Sequence, residues 1–183
     1  GWHDWYLSAN IKDKSNLDQH LLPGLSSTGV PKNLVGTVFP FEYNNIDHLE
    51  MLIKNNDIGI IKMEVARNIK PKNNFLQDVR TLADKNNIVL VFDECTTGFR
   101  ETFGGYHKKF NVNPDIAILS KALGNGYAIS AIIGTSKIME SATNTFISST
   151  FWSERIGSTA ALKTLEVMER EKSWEIVTDI GKK

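Results

Sequence analysis

Apolar residues along this chain follow two rhythms. Short, mostly apolar runs recur at Ile58–Met63, Ile88–Phe92, 116–120 and Ile129–Ile133, each bounded by polar or glycine-bearing turns. All four read as strands, and those at Ile88–Phe92 and 116–120 as strands buried on both faces. Between them apolar positions take helical spacing. Ile46, Leu49, Leu52 and Ile53 mark a helix over 46–55, and Phe75, Leu76, Val79, Leu82 and Ala83 mark one over 75–86. A short helix is predicted over 136–141. A long one is predicted over 154–170, with Ala160, Leu162, Leu165 and Met168 as its buried candidates. Leu34–Phe39, ended by Pro40, reads as a further strand. Strands alternating with helices imply an α/β fold, a mostly parallel sheet flanked by helices with right-handed crossovers. No repeat or low-complexity tract interrupts residues 1–183, which read as a single domain. The polar stretch 13–33 is long for a plain connection and reads as a lid or binding loop.

Chemistry gathers where the strands end. Asp93 closes Ile88-Val89-Leu90-Val91-Phe92, and Lys121 closes Ile116-Ala117-Ile118-Leu119-Ser120, with Gly124 and Gly126 just beyond. Ligands of open α/β sheets sit outside the carboxyl ends of the strands. An amine and a carboxylate delivered there suit pyridoxal phosphate. The amine forms a Schiff base with the cofactor aldehyde, and the carboxylate partners the pyridine nitrogen. Duller readings compete. Val89–Glu94 also fits a strand-end acid capping a turn, or the magnesium-holding strand of a P-loop ATPase, although no Gly-x-x-x-x-Gly-Lys-Ser/Thr run is present. A solvated lysine opening a loop is the plain alternative for Lys121. The two glycines favour the chemical reading, because they allow left-handed turns and close backbone approach to a ligand. An amine desolvated beside other positive charge is also neutral and nucleophilic near pH 7. Ser148-Ser149-Thr150-Phe151-Trp152-Ser153 precedes the last long helix and reads either as an anion site or as ordinary capping by Ser153.

Composition narrows the class. Basic and acidic side chains balance at 21 each, which disfavours a nucleic-acid partner. The one cysteine, Cys95, precludes an internal disulfide and suits a reducing, cytoplasmic compartment. No apolar run approaches the roughly 18–20 residues that span a bilayer, so no membrane partner is expected. No residue is read as a metal ligand. The opening Gly1-Trp2-His3-Asp4-Trp5-Tyr6 has neither an initiator Met nor a signal-peptide layout and reads as the continuation of something longer.

Several segments together resemble class III aminotransferases of the fold-type I pyridoxal phosphate enzymes, above all the glutamate-1-semialdehyde 2,1-aminomutase branch. Gly1-Trp2-His3-Asp4 resembles the end of a Tyr-His-Gly-x-x-Asp segment, Gly29-Val30-Pro31 the end of a gating loop, and Tyr43-Asn44-Asn45 a Tyr-Asn-Asp turn. Met63-Glu64 resembles Met-Glu-Pro, with Val65 in place of proline. Phe92-Asp93-Glu94-Cys95-Thr96-Thr97-Gly98-Phe99-Arg100 is similar to Phe-Asp-Glu-Val-x-Thr-Gly-Phe-Arg. Pro114-Asp115 and Lys121-Ala122-Leu123-Gly124 complete the pattern.

The resemblance implies that Lys121 carries the cofactor and Asp93 pairs with its ring nitrogen. It implies that Cys95 packs on the ring, where the family usually has a branched aliphatic, and that Glu64 lies near the substrate. Ser149 and Thr150 fall where the family supplies phosphate contacts across a homodimer interface with shared active sites. The resemblance further implies small-molecule amino and keto substrates. It makes the chain part of the large pyridoxal-phosphate-binding domain, with a ring-stacking aromatic and a phosphate cup upstream and a small domain downstream. Arg100 and Arg155 are candidate carboxylate binders. The 145–155 segment departs from the commoner Gly-Asn-Pro form and resembles members of cell-surface sugar pathways, which keeps a sugar or other amine substrate open. A noncatalytic piece of such an enzyme is the remaining alternative.

Overall fold

The computed structural model describes residues 4–20 and 23–183, in two compact units, Gly1–Asp57 and Ile58–Lys183. The Gly1-Trp2-His3 part of the resemblance lies outside the described residues.

The first unit opens with α1, Asp4–Ser8. The carboxamide of Asn10, 1% exposed, donates to Leu25 O at 2.8 Å and accepts from Leu17 N at 3.0 Å. Asn16 donates to Ala9 O at 2.8 Å. These bonds knit much of the polar stretch expected as a loop into turns around the buried Leu17. The strand expected over 34–39 does not form. A 3₁₀ turn, Lys32–Leu34, runs into a second turn closed by Thr37 N (3.2 Å) and Thr37 Oγ1 (2.6 Å) on Leu34 O. Gly36 between them, at φ +77°, leaves the extended path that the apolar content suggested. Helix α2, Ile46–Asn55, forms as predicted. The Asn45 side chain caps it by accepting from His48 N at 3.0 Å, while Asp47 in its first turn and Lys54 in its last suit the helix dipole.

The second unit is built on four strands in the order β1 (Ile60–Glu64), β2 (Val89–Asp93), β3 (Ile116–Leu119), β4 (Ala131–Gly134). The first three pair in parallel, and β4 pairs antiparallel with β3. That reversal has a simple cause. Residues 120–130 are too short for a parallel crossover, which needs roughly a dozen residues or more. Helix α3, Phe75–Lys85, buries Phe75, Leu76, Val79 and Ala83 as one stripe and packs against β2. Leu90 and Phe92 of β2 are fully buried, each worth about 1.5–3 kcal/mol of transfer free energy.

Asp115, from the Pro-Asp of the family pattern, fastens the sheet. Its Oδ2 accepts from Leu90 N at 2.8 Å and pairs with Arg80 of α3 at 2.9 Å, and Arg80 also reaches Asp84 at 2.7 Å.

Further differences from expectation concern helices. A short 3₁₀ helix, Tyr106–Phe110, and an α-helix, α6 (Ser173–Gly181), were not foreseen. The short helix α4 spans Ser136–Met139. The long helix α5 spans Ile156–Glu171 and ends at Lys172 in the left-handed region, φ +48°, so α6 starts without a glycine or proline to announce it. The inward face of α5 runs through Gly157 and Ala161, leaving Leu162 at 69% exposure. Ala161 joins Phe99, Leu119, Ala122 and Leu123 in a cluster under the turn after β3.

Candidate active site

Register brings the predicted carboxylates together. Glu64 and Asp93, the last residues of β1 and β2, are direct neighbours, and Asp93 in turn faces Ile118 of β3, so Lys121 follows on the same sheet edge. Asp93 is half-buried. Its Oδ2 lies 3.0 Å from Lys62 Nζ, and its Oδ1 accepts the Cys95 amide N–H at 3.2 Å. Burial alone would raise the Asp93 pKa. Hydrogen bonds from Lys62 and Cys95, together with the Lys62 charge, instead hold it below the ordinary carboxylate value.

Lys121 is exposed, not buried as the apolar strand before it suggested. Its Nζ donates to Thr96 Oγ1 at 2.9 Å, which aims the amine back across the edge toward the loop after β2. Its backbone sits at φ +40°, an uncommon conformation for a residue with a side chain and one that clusters at functional sites. Gly124 serves the turn itself. A Cβ there would stand 2.2 Å from Tyr127 O, so its smallness permits backbone-to-backbone approach and not approach to a ligand.

The remaining edge residues have distinct electrostatics. Burial raises the Glu64 pKa; Asp93 adds to the rise, while Arg67 (3.5 Å) and Lys121 oppose it. Burial also pushes the Cys95 thiol up, with Asp93 reinforcing and Lys121 and Lys62 opposing. A thiol kept protonated is a poor nucleophile.

Glu94 turns inward and is fully buried. Its carboxylate accepts from Thr97 Oγ1 at 2.5 Å and from His107 N at 3.0 Å, and it lies 2.8 Å from His107 Nδ1. The network ties the loop carrying Cys95 and Thr96 to the 3₁₀ helix at Tyr106–Phe110. Sequence reasoning missed Glu94, His107, Thr96 and Lys62. Only Lys62 had a readable signal, since it lies two residues before Glu64 and therefore on the same strand face.

Ser149 and Thr150 are exposed on the segment before α5, and their side chains share no described hydrogen bond with Asp93 or Lys121. Capping of α5 falls to Glu154, not Ser153. The Glu154 carboxylate accepts from Ile156 N and, at 3.0 Å, from Gly157 N. A side-chain anion thus closes the helix N-terminus that the sequence offered as an anion site. An open cleft of about 1190 Å³ adjoins Lys121, lined by Arg100, Ser120, Tyr127, Lys163 and Val177 among others; Asp93 and Glu64 are not in its walls.

Three strand ends thus bring one amine and two carboxylates to the same sheet edge. The chain belongs to the class-III aminotransferase family, whose model matches residues 66–183. It is 34% identical, over its whole length and 42% of the relative's, to the 3-aminobutyryl-CoA aminotransferase of Cloacimonas acidaminovorans. It is 39% identical to the glutamate-1-semialdehyde 2,1-aminomutase of Sulfolobus acidocaldarius, over 81% of this chain and 37% of that one. The chain therefore spans about two fifths of the length of these curated relatives. The internal-aldimine, pyridoxal-phosphate form of the FumI protein from Sphingopyxis sp. MTA144 shares the fold, with TM-score 0.74 at 24% identity over 80% of this chain and 37% of that one. Membership of this family sets aside the ATPase reading of Val89–Glu94.

The cofactor of the family is pyridoxal 5′-phosphate, and the residues present fit two of its ends. Lys121 offers a primary amine for the aldehyde, and Asp93 offers an ionised carboxylate for the ring nitrogen. The phosphate finds no cradle at the α5 N-terminus, which Glu154 occupies.

Proposed function

We propose that the intact protein is an enzyme transferring amino groups between small-molecule amino and keto compounds, as an aminotransferase or aminomutase. On this reading residues 1–183 are part of its large cofactor-binding domain, completed by segments on either side. The convergence of Glu64, Asp93 and Lys121 on one sheet edge carries the reading. Lys121 would hold the cofactor through Nζ, Asp93 would hold the proton at the ring nitrogen, and Cys95 would pack on the ring. Ser149 and Thr150, exposed and turned to no described partner near Lys121, would serve the phosphate of the second subunit in a homodimer.

Bound pyridoxal phosphate supplies an electron sink for the carbon that bears the amino group. Lys121 Nζ moves the proton at that carbon, and Thr96 Oγ1 steers the amine. The Asp93 carboxylate stays ionised and keeps its partner protonated. Glu64, with its raised proton affinity, faces the substrate. Among the described residues no helix is long and apolar enough to cross a membrane; a cytoplasmic location is part of the proposal.

Borohydride reduction of the intact protein with pyridoxal phosphate, followed by peptide mapping, tests the site. The pyridoxyl group is expected on Lys121. Its recovery on Lys108 or Lys137, or the absence of any adduct, would overturn the assignment. Half-reaction screening then separates the chemistries. Conversion of glutamate 1-semialdehyde without release of a keto acid marks an aminomutase, and amino transfer to a separate keto acid marks an aminotransferase.

A further inference from the structure

Lys62 is a charged residue of this edge to which the family resemblance assigned no role. It stands third in β1, two residues before Glu64, on the face from which Glu64 and its register neighbour Asp93 project. Its Nζ is 3.0 Å from Asp93 Oδ2, while Oδ1 already accepts the Cys95 amide. Both carboxylate oxygens therefore have a donor. An oxygen with two lone pairs can take a second hydrogen bond, so a ring N–H arriving at Oδ2 would share that oxygen with the Lys62 ammonium.

We infer that Lys62 is a positioning residue of the cofactor site. It fixes the Asp93 carboxylate in its ionised form, and it weakens the hold of Asp93 on the ring-nitrogen proton. The inference rests on the proposed function, since it requires the cofactor ring to meet Asp93.

The physical argument is one of charge. A bare carboxylate beside a pyridinium favours the protonated ring strongly. A carboxylate already paired with an ammonium is close to neutral overall and favours it less. Two cations sharing one oxygen stand about 5 Å apart, and in a partly solvated site their repulsion changes proton affinity by roughly tenfold or more. The other ionisable groups acting at this edge are the Glu64 carboxyl with its Arg67 partner, the Cys95 thiol and the Lys121 amine. Among the described residues only Lys62 forms an ion pair with Asp93. The lowered Asp93 titration, with Lys62 among its causes, agrees with that pairing.

The test uses the intact protein reconstituted with pyridoxal phosphate carrying nitrogen-15 in the ring, as the native form, Lys62→Met and Lys62→Arg. The nitrogen-15 shift followed against pH reports the ring proton, and the carbon-13 resonance of the Asp93 carboxyl is titrated in the cofactor-free protein. Lys62→Met is expected to raise the ring-nitrogen pKa by about one unit or more and to raise the Asp93 titration; Lys62→Arg is expected to restore both. If Lys62→Met does not fold, Lys62→Gln replaces it under the same criteria. Bound cofactor whose nitrogen titrates identically in the native and Lys62→Met proteins would overturn this inference and leave the proposed function standing. No protein-bound nitrogen-15 signal in the native protein would overturn the proposed function and this inference with it.

Discussion

The buried Glu94 carboxylate gives the sharpest test of how this edge is held together. Glu94→Gln keeps the side-chain volume and removes the charge from a group that accepts from Thr97 Oγ1 and His107 N and contacts His107 Nδ1. Hydrogen bonds to a charged acceptor contribute about 1.5–3 kcal/mol, against roughly 0.5–1.5 for neutral ones. A glutamine can donate to the Thr97 hydroxyl, but an N–H turned toward the His107 amide would leave a donor facing a donor. The expected loss at neutral pH is therefore about 2–3 kcal/mol, and Glu94→Ala, which leaves every donor bare, should lose about 3–5.

Burial alone would raise the Glu94 pKa, but the His107 and Thr97 hydrogen bonds bring it below the ordinary value. With the folded pKa depressed, the unfolded chain binds more protons as acid is added, so this contribution is full above the unfolded pKa. It fades as pH falls through the folded one. Denaturant unfolding of the intact native and Glu94→Gln proteins at neutral pH and at successively lower pH checks both the size and the sign. The gap between them should narrow in acid. Equal midpoints at neutral pH, or a gap that widens as pH falls, would show that the Glu94 network does not stabilise the loop.

Three other outcomes are expected. Asp93→Asn should retain cofactor yet slow amino-group transfer by on the order of 10²–10³-fold in half-reaction kinetics, and a near-native rate would reduce Asp93 to a strand-end cap. Asp115→Ala removes the acceptor of Leu90 N and the partner of Arg80. It should cost about 2–4 kcal/mol in denaturant unfolding, and a change under about 0.5 kcal/mol would show that this clasp does not hold α3 to the sheet. Mixed dimers of Lys121→Ala and Ser149→Ala/Thr150→Ala subunits should contain one fully competent site if the hydroxyls act across the interface; pyridoxal phosphate retention and turnover with no native-like site would place them in cis.

Much of this protein was legible before any coordinate. The apolar runs located all four strands to within a residue or two, although only β2 is largely buried on both faces; Ile60 and Lys62 of β1 and Ile132 and Ile133 of β4 are exposed. Apolar stripes located α2 and α3, and the strand-end positions of Glu64, Asp93 and Lys121 placed their chemistry at one edge. What failed did so for local reasons. Residues 34–39 carry a strand-like apolar content, but Gly36 and the Thr37–Leu34 bonds close them into a turn. The short connection after β3 reversed β4, and Lys172 in the left-handed region split α5 from α6.

The pairings are a different matter. Register set Glu64 beside Asp93, the strand face brought Lys62 to Asp93, and the fold of the 94–107 loop aimed Glu94 at His107 and carried Thr96 to Lys121. Sequence by itself determined which residues end strands, since periodicity is a local property of the chain. Which of those residues touch was decided only by tertiary structure, because hydrogen bonds and ion pairs a few ångströms long join positions from 13 to 31 residues apart, and no local pattern encodes that distance.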